Sequence, residues 1–310
     1  MASVVEVQNL TKRYRGAKVN AVDGISFEVA AGEFFTLLGP NGAGKTTAIS
    51  ILTTTLNPTS GSARIAGYDI RREAGSVRQN IGIIFQQPSL DFNLTAEENI
   101  RFHAVLYGLY AFRPSFAMMP RAYKQQVTEL ASLLGLENEM GKQVKKFSGG
   151  MRRKLEIIRS LLHKPSVLFL DEPTSGLDPL SRRTLWEYLS QVRRERGTTI
   201  FLTTHYLDEA EEADQVCIIN RGRIVAQGKP AQVKAQLTQS YMMIDAEDRN
   251  RLREELRRLK IEFVETSSFK INLHGNQLQA IIKAIETPLS FVKTHDPSLE
   301  DAYLEIIKEP

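Results

Sequence analysis

The chain has 310 residues, of which 42% are hydrophobic and 25% charged, so it can form one large or two modest globular domains. The net charge of +4 comes from 40 basic and 36 acidic residues that are interspersed along the chain, which argues against a nucleic-acid-binding protein. The single cysteine, Cys217, excludes a disulfide framework and a thiolate metal cluster, and the apolar run around it indicates a core position.

No stretch approaches the ~18 consecutive apolar residues that a membrane-spanning helix requires. The first residues, Met1 to Val4, lack the basic region and the long apolar run of a secretory signal peptide. We therefore expect a cytoplasmic chain, whose role at a membrane would depend on a partner.

Short apolar runs alternate with amphipathic helical patterns over the first two thirds of the chain, which predicts an α/β sheet fold. The runs at 167–170 and 200–202 show no polar alternation, as expected of parallel strands that are buried on both faces. The predicted strands are 4–7, 25–29, 34–38, 81–85, 167–170, 199–202 and 216–220.

Between about residues 88 and 165 the pattern becomes helical, and we interpret this segment as a helical insertion in the sheet domain. Thr95 and Glu98 have the spacing of a capping box, which predicts a helix from there to about Tyr110. A second helix is predicted over 123–134. The segment 112–122 between them contains two prolines and a short apolar group, and the sequence leaves open whether it contacts a partner or packs locally.

The first domain would end at about residue 228, and residues 240–310 follow a different pattern. Their order, β-α-β-β-α-β with a trailing helix, predicts a small α+β ferredoxin-like domain. The predicted strands are 241–244, 261–265, 269–273 and 289–292, and the predicted helices are 249–259, 278–285 and 299–307. This region would be an accessory domain, with a regulatory ligand-binding role as one alternative.

The segment from Gly39 to Thr46 matches the complete G-x-x-x-x-G-K-[ST] phosphate-binding pattern, with a predicted strand before it and a helix-capable run after it. Glycines let successive backbone N–H groups point at phosphate oxygens, and the following helix N-terminus adds its positive dipole end. Lys45 would supply a cation for the β- and γ-phosphates, and Thr46 a hydroxyl for Mg²⁺. The predicted ATP-binding residues of this loop are Gly39, Pro40, Asn41, Gly42, Ala43, Gly44, Lys45, Thr46 and Thr47.

Polar side chains also follow two other predicted strands. Asp171 and Glu172 come directly after the apolar run 167–170, and His205 follows Thr203 and Thr204. Because ligands in open α/β sheets bind beyond the carboxyl ends of the strands, we expect these residues to converge on the nucleotide bound by the phosphate loop. Asp171 would hold Mg²⁺ through water, and Glu172 would orient and polarise the attacking water.

These motifs, in this order, resemble the ABC ATPases over residues 3–228. The deciding feature is Phe147-Ser148-Gly149-Gly150-Met151, which resembles the signature motif of that family although Phe147 and Met151 replace its usual leucine and glutamine. Ser148 can cap a helix whose first amides stay open to an anion. Met151 and the tail from Asp296 to Tyr303 resemble the drug-export, daunorubicin-resistance-like branch.

The resemblance implies a P-loop NTPase cassette with a mixed sheet and a helical subdomain. It also implies roles that the residues alone do not show: adenine stacking by Tyr14, sensing of Mg²⁺ and water by Gln86, a γ-phosphate contact by His205, and a place at a dimer seam for Asp178. Asp178 also has the pattern of a helix N-cap, because Pro179 would be the first helical residue.

By the same resemblance, two copies would close around two ATP molecules, and Ser148, Gly149, Gly150 and Met151 of each would contact the nucleotide on the other. The accessory domain at 240–310 would then brace this dimer. The expected partners are ATP with Mg²⁺, a second cassette and a transmembrane permease at the cytoplasmic face of the membrane. Export of drugs, lipids or other amphipathic compounds is the expected function. The alternative is an ABC ATPase that acts on nucleic acid or ribosomes, but the sequence shows no second cassette, long coiled coil or zinc insertion typical of that class.

Overall fold

The computed structural model describes residues 2–86, 89–237, 241–273, 278–295, 298, 300 and 303. Contacts between Cα atoms divide the chain into two compact units, Met1–Gln227 and Gly228–Pro310, and each unit has a hydrophobic core of its own. Within the described part of the chain, no helix combines the length and hydrophobicity that are needed to cross a bilayer.

Strands and helices alternate through most of the chain. The strands are β1 (Ser3–Lys12), β2 (Val22–Ala30), β3 (Phe34–Leu38), β4 (Ser60–Ile65), β5 (Tyr68–Asp69), β6 (Ile81–Ile84), β7 (Val167–Asp171), β8 (Thr199–Thr204), β9 (Gln215–Asn220), β10 (Arg223–Gly228), β11 (Tyr241–Ala246), β12 (Val264–Glu265), β13 (Phe269–Asn272) and β14 (Leu289–His295). The α-helices are α1 (Lys45–Leu52), α2 (Ala74–Asn80), α3 (Ala96–Leu106), α4 (Arg121–Leu133), α5 (Gly149–Leu161), α6 (Pro179–Arg196), α7 (Leu207–Glu211), α8 (Pro230–Leu237), α9 (Arg249–Arg258) and α10 (Leu278–Ala284).

The first unit is built on a six-stranded sheet with the strand order β10-β9-β3-β8-β7-β6. The pairings of β3 with β8 and β9, and of β7 with β6 and β8, are parallel. Every residue of β3, β7 and β8 is buried, as we predicted for the unbroken apolar runs of β7 and β8. Parallel strands bring their carboxyl ends to one edge of the sheet, so the residues that follow β3, β7 and β8 become neighbours.

A second, antiparallel sheet of the first unit has the order β2-β1-β4-β5. Side chains from both sheets and from α1 form one core, in which the ring of Phe27 stacks on that of Phe35 at a centroid distance of 5.2 Å. The sequence analysis missed β4, β5, β10, α2, α7 and α8. Only Ala63 and Ile65 are buried in β4, so that strand has too few apolar residues for its pattern to stand out.

The segment between β6 and β7 is helical, as predicted, and contains α3, α4, α5 and three short 3-10 helices. The capping box is present: the Thr95 side chain accepts from the backbone N–H of Glu98, and the Glu98 carboxylate accepts from the backbone N–H of Thr95. In the loop before α4, Met119 is buried and Met118 is 57% exposed. That loop therefore packs locally through one methionine and presents the other to solvent.

The start of α6 and the position of Cys217 agree with the sequence analysis. The Asp178 side chain accepts from the backbone N–H of Ser181, and Pro179 is the first helical residue. Cys217 is fully buried in β9, and burial raises the pKa of its thiol, so this thiol is an unreactive core group.

The second unit contains a four-stranded sheet with the order β12-β13-β11-β14 and only antiparallel pairings. Its core combines residues of β11, α9 and β13, among them Ile244, Leu256 and Phe269. The element order from β11 to β14 is β-α-β-β-α-β. The ferredoxin-like assignment stays a prediction, and the trailing helix predicted at 299–307 lies outside the described residues except for Glu300 and Tyr303.

Candidate functional site

The phosphate loop runs from the end of β3 into α1, and two of its glycines approach other backbone segments closely. A Cβ atom on Gly39 would lie 2.3 Å from the carbonyl oxygen of Ile219, and one on Gly44 would lie 2.3 Å from that of Ala21. Gly44 also has a φ of 109°, a conformation that side chains disfavour. Glycine is therefore required at both ends of this loop, as the predicted motif implies.

Lys45 is buried at the base of the loop, where only 4% of the residue is exposed. Its ammonium donates hydrogen bonds to the carbonyl oxygens of Gly39 at 2.8 Å and Pro40 at 3.2 Å. The same nitrogen lies 3.3 Å from Oε1 of Glu172. Since the loop follows β3 and Glu172 follows β7, this contact joins two strand ends through one cation.

Asp171 is the last residue of β7, and its carboxylate is also buried. It accepts hydrogen bonds from the hydroxyls of Thr203 on β8 and Thr46 on α1, the second at 3.5 Å. Burial raises the pKa of this carboxyl, and the two hydroxyl bonds partly oppose that effect. Asp171 and Thr46 thus present hard oxygen donors side by side at the carboxyl edge of the sheet.

The carboxylate of Glu172 contacts three other predicted site residues. Besides the ammonium of Lys45, its carboxylate has Nδ1 of His205 at 3.2 Å from Oε1 and accepts a hydrogen bond from Nε2 of Gln86 at 3.4 Å. The backbone of Glu172 has a φ of 46°, in the left-handed region that costs most side chains ~1 kcal/mol or more. Its N–H donates to the carbonyl oxygen of Thr203 at 3.0 Å, which holds that conformation in place.

The structure thus brings six of the predicted site residues together: Gln86, Lys45, Thr46, Asp171, Glu172 and His205. Tyr14 lies at the edge of the phosphate loop, with its hydroxyl 3.3 Å from the hydroxyl of Thr47 and 46% of the residue exposed. The ammonium of Lys12 lies 5.6 Å from the centroid of its ring.

The predicted signature residues and Asp178 stand apart from this cluster. Ser148 caps α5, because its hydroxyl accepts from the backbone N–H of Met151 at 3.2 Å. The side chain of Asp178 bonds to Ser181 in the first turn of α6. Among the described residues, no hydrogen bond or ion pair links Ser148 or Asp178 to the carboxylate of Glu172.

The sequence analysis missed a buried ion pair on α5 that touches the site. The guanidinium of Arg153 lies 2.9 Å from the Glu156 carboxylate, with side-chain exposures of 6% and 1%. Arg153 also donates to the backbone carbonyls of Phe85 at 2.6 Å, Gln86 at 3.3 Å and Pro173 at 2.9 Å. Burial lowers the pKa of Arg153, which Glu156 opposes. The sequence signal was an i, i+3 pair of opposite charges, which is more common on exposed helix faces.

Comparisons with known proteins identify the family of the chain and several relatives. The ABC transporter family model matches residues 22–175. The chain is 39% identical over 234 residues to the probable multidrug ABC transporter ATP-binding protein YbhF of Escherichia coli K12, covering 76% of this chain but only 38% of that protein. It is 38% identical over 259 residues to the daunorubicin/doxorubicin resistance ATP-binding protein DrrA of Streptomyces peucetius, covering 83% of this chain and 75% of DrrA.

The similarity to another relative extends over nearly the whole chain. The Nod factor export ATP-binding protein I of Paraburkholderia xenovorans LB400 is 36% identical over 307 residues, which cover 98% of this chain and 97% of that protein. Among solved structures, an ATP-binding subunit of an ABC transporter matches with a TM-score of 0.65 and 31% identity over 76% of this chain and 93% of that one. A dimeric post-hydrolysis cassette bound to ADP and Pi matches with a TM-score of 0.64 and 25% identity over 73% of this chain and 98% of that one.

Proposed function

The chain belongs to the ABC transporter family of ATP-binding proteins, and from that premise we propose that it binds and hydrolyses ATP to drive a separate membrane permease. The observation that carries the proposal is the convergence of the β3 and β7 strand ends, where Lys45 lies 3.3 Å from Glu172 and Thr46 lies 3.5 Å from Asp171. A phosphate loop alone would support only nucleotide binding. The addition of a carboxylate at hydrogen-bonding distance from the loop's cation supports hydrolysis as well.

The bound triphosphate would take over contacts that the site residues now make with one another. The ammonium of Lys45 contacts Glu172 and two loop carbonyls, so phosphate oxygens compete directly with the Glu172 carboxylate for that cation. Once Lys45 turns to the β- and γ-phosphates, the Glu172 carboxylate is released to accept a hydrogen bond from water. The exposed ring of Tyr14 would stack on the adenine.

The residues present fit Mg²⁺ that arrives with ATP. Thr46 Oγ1 and Asp171 Oδ1, 3.5 Å apart, are the hard oxygen donors that Mg²⁺ combines with phosphates and water. The described residues contain no group of three or more His, Cys, Asp or Glu side chains that could hold a metal without the nucleotide. Thr46, Gln86 and, through water, Asp171 would hold the ion, which would supply positive charge to the phosphates.

Hydrolysis would use Glu172 as the base and His205 and Gln86 as its neighbours. Water attacks the γ-phosphorus, the bond from that phosphorus to the β–γ bridging oxygen breaks, and the water proton passes towards the Glu172 carboxylate. The imidazole of His205 and the amide of Gln86 flank that carboxylate and would fix its direction. The left-handed backbone of Glu172 aims the side chain at the phosphate loop.

A second copy would complete each ATP site. The first amides of α5, beside Gly149 and Gly150, form a helix N-terminus that attracts anions. Among the described residues, no hydrogen bond or ion pair links this turn to Lys45 or Glu172 of the same chain. We therefore place the Ser148 to Met151 turn of one copy over the nucleotide of the other, with Asp178 at the seam. The similarity to a dimeric cassette supports this arrangement. The unit that begins at Gly228 has its own core and would act as an accessory domain that braces the dimer.

The permease and the direction of transport are inferred from the relatives. Their names describe multidrug transport, daunorubicin resistance and Nod factor export, which are all consistent with an exporter of amphipathic compounds. The chain would act at the cytoplasmic face of the membrane through its permease. Co-purification with a polytopic membrane protein would test this partner, and an ATPase that resists all such association would contradict it.

The catalytic part of the proposal is tested by Glu172→Gln. The amide keeps the size of the side chain but cannot act as a base, so turnover should fall by ~10²-fold or more while ATP binding persists. ATP retention on a filter and phosphate release would be measured on the same preparation. Glu187→Gln, a change at an exposed glutamate of α6, is the matched control. Hydrolysis by Glu172→Gln at the rate of that control would remove Glu172 from the catalytic role.

A further inference from the structure

A second buried carboxylate lies near the site, and the proposed hydrolysis does not use it. Glu209, on α7, is 2% exposed. Its neighbour on the same helix, Asp208, is exposed, so burial of Glu209 is specific to its position. A buried carboxylate is unfavourable unless its oxygens are hydrogen-bonded, and its bonding partners therefore indicate its role.

Both oxygens of Glu209 are bonded, and each bond reaches a different strand end. The hydroxyl of Thr174 donates to Oε1, and the hydroxyl of Thr204 donates to Oε2 at 2.6 Å. Both threonines are fully buried. Thr174 is two residues beyond Glu172, and Thr204 directly precedes His205. Glu209 thus connects the segment that carries Glu172 to the segment that carries His205.

The link through Glu209 lies just beyond the point where the backbone pairing of β7 and β8 ends. The register of β7 and β8 ends at the pair Asp171 and Thr203, and the last backbone bond between them runs from Glu172 N–H to the Thr203 carbonyl. The next residue of that chain segment lies beyond the strand pairing, and Glu172 itself has a left-handed φ of 46°. Without a further link, the segments beyond this point would be free to separate.

The charges around Glu209 agree with a carboxylate that is held by its bonds. Burial raises the pKa of Glu209, and the bonds from the two threonines, followed by the charges of Arg182 and His205, act in the opposite direction. Hydrogen bonds to a carboxylate are shorter and more directional than those between neutral groups. Two of them fix the separation of their donors more closely than apolar packing would.

We propose that Glu209 is a positioning residue that holds His205 against Glu172 by bonding Thr174 and Thr204 at once. The distance that Glu209 would maintain is the 3.2 Å between His205 Nδ1 and Glu172 Oε1. None of the described hydrogen bonds of Glu209 reaches the phosphate loop or Tyr14 directly, although the carbonyl oxygen of its partner Thr204 accepts from the backbone N–H of Gly39 at 3.3 Å. That bond does not use the Thr204 hydroxyl, so loss of Glu209 should affect ATP binding less than hydrolysis. This inference rests on the proposed ATPase function.

The test is steady-state ATP hydrolysis by the full-length chain with Glu209→Ala. Loss of both bonds should lower kcat by ~10-fold or more and change KM by less than ~3-fold, because the contacts to the nucleotide are intact. Glu209→Gln should recover most of kcat, since its amide oxygen accepts from one threonine and its NH₂ group donates to the other hydroxyl. Asp208→Ala, a change to the exposed neighbour, is the matched control and should match the wild type.

A double-variant cycle separates positioning from a general structural role. If Glu209 acts through His205, Glu209→Ala should have little further effect on kcat when His205→Ala is already present. Should Glu209→Ala fail to fold, Thr174→Val removes one of the two bonds to Glu209 and should lower kcat in the same way. Thr204→Val removes the other, together with the bond that its hydroxyl accepts from the backbone N–H of Tyr206 at 2.9 Å, and should also lower kcat. Equal kcat for Glu209→Ala and Asp208→Ala, or fully additive effects with His205→Ala, would overturn the inference. A wild-type chain without ATPase activity would instead refute the proposed function.

Discussion

Replacing Arg153 with methionine should destabilise the first unit far more than removing an exposed arginine. The change keeps a long side chain but removes the positive charge that lies 2.9 Å from the Glu156 carboxylate. Glu156 is completely buried, and its other oxygen accepts from the backbone N–H of Ser89 at 3.0 Å. The variant therefore leaves a buried carboxylate without its cation.

The size of the effect follows from this burial. Removing one partner of a buried ion pair costs about 3–5 kcal/mol, because the charge that remains is neither solvated nor paired. The exposed pair of Arg183 and Glu187, at 3.1 Å with side-chain exposures of 80% and 64%, provides the control. Arg183→Met should cost less than about 1 kcal/mol, as exposed pairs contribute little. The double variant Arg153→Met with Glu156→Leu should be more stable than Arg153→Met alone, since no unpaired charge is then buried.

Urea unfolding followed by tryptophan fluorescence measures this difference. Trp186 is the only tryptophan of the chain, and its ring packs against Phe34 at a centroid distance of 5.5 Å in the first unit. With an m-value of about 3 kcal/mol/M, the midpoint for Arg153→Met should fall by about 1 M or more. Equal midpoints for Arg153→Met and Arg183→Met would refute the reasoning, as would a double variant less stable than the single one.

Two further predictions concern the phosphate loop and the helical segment. Gly44→Ala should weaken ATP binding by ~10-fold or more in a filter assay. Its Cβ would lie too close to the Ala21 carbonyl oxygen, and the backbone at this position has a positive φ that alanine disfavours. Gly75→Ala is the control and should bind ATP as the wild type does, because the space around that Cβ is open. Burial lowers the pKa of His103 from 6.5 to about 3, so between these values the unfolded chain is protonated at His103 and the folded chain is not. As the pH is lowered from 6.5 towards 3, the free energy of unfolding should therefore decrease by about 1.4 kcal/mol per pH unit. In His103→Leu, the urea midpoint should change less between pH 7.5 and 5 than it does in the wild type. An equal change of the midpoint with pH in both proteins would contradict this prediction.

Short-range features of the protein could be predicted from the sequence because neighbouring residues determine them. The capping box of Thr95 and Glu98, the cap of Asp178 before Pro179 and the glycines of the phosphate loop each depend on a few adjacent residues. The unbroken apolar strands β7 and β8 also indicated a parallel sheet, and hence that polar residues after them would meet at one edge.

The tertiary structure alone decided which polar groups are buried and bonded within that edge. From the sequence alone, Arg153 and Glu156 have the pattern of an ordinary charge pair on a helix surface. Glu209 is one of several acidic residues in its segment, and nothing in the sequence distinguishes it from them. Apart from the pairing of Arg153 with Glu156 and the bond of Glu209 to Thr204, five positions away, their partners lie between 20 and 68 positions away in sequence, so no local pattern shows them. The left-handed conformation of Glu172 likewise depends on the neighbouring strand, which accepts its N–H. Buried hydrogen bonds between distant segments form only after the sheet has brought its strands together, and for that physical reason the sequence by itself could not assign them.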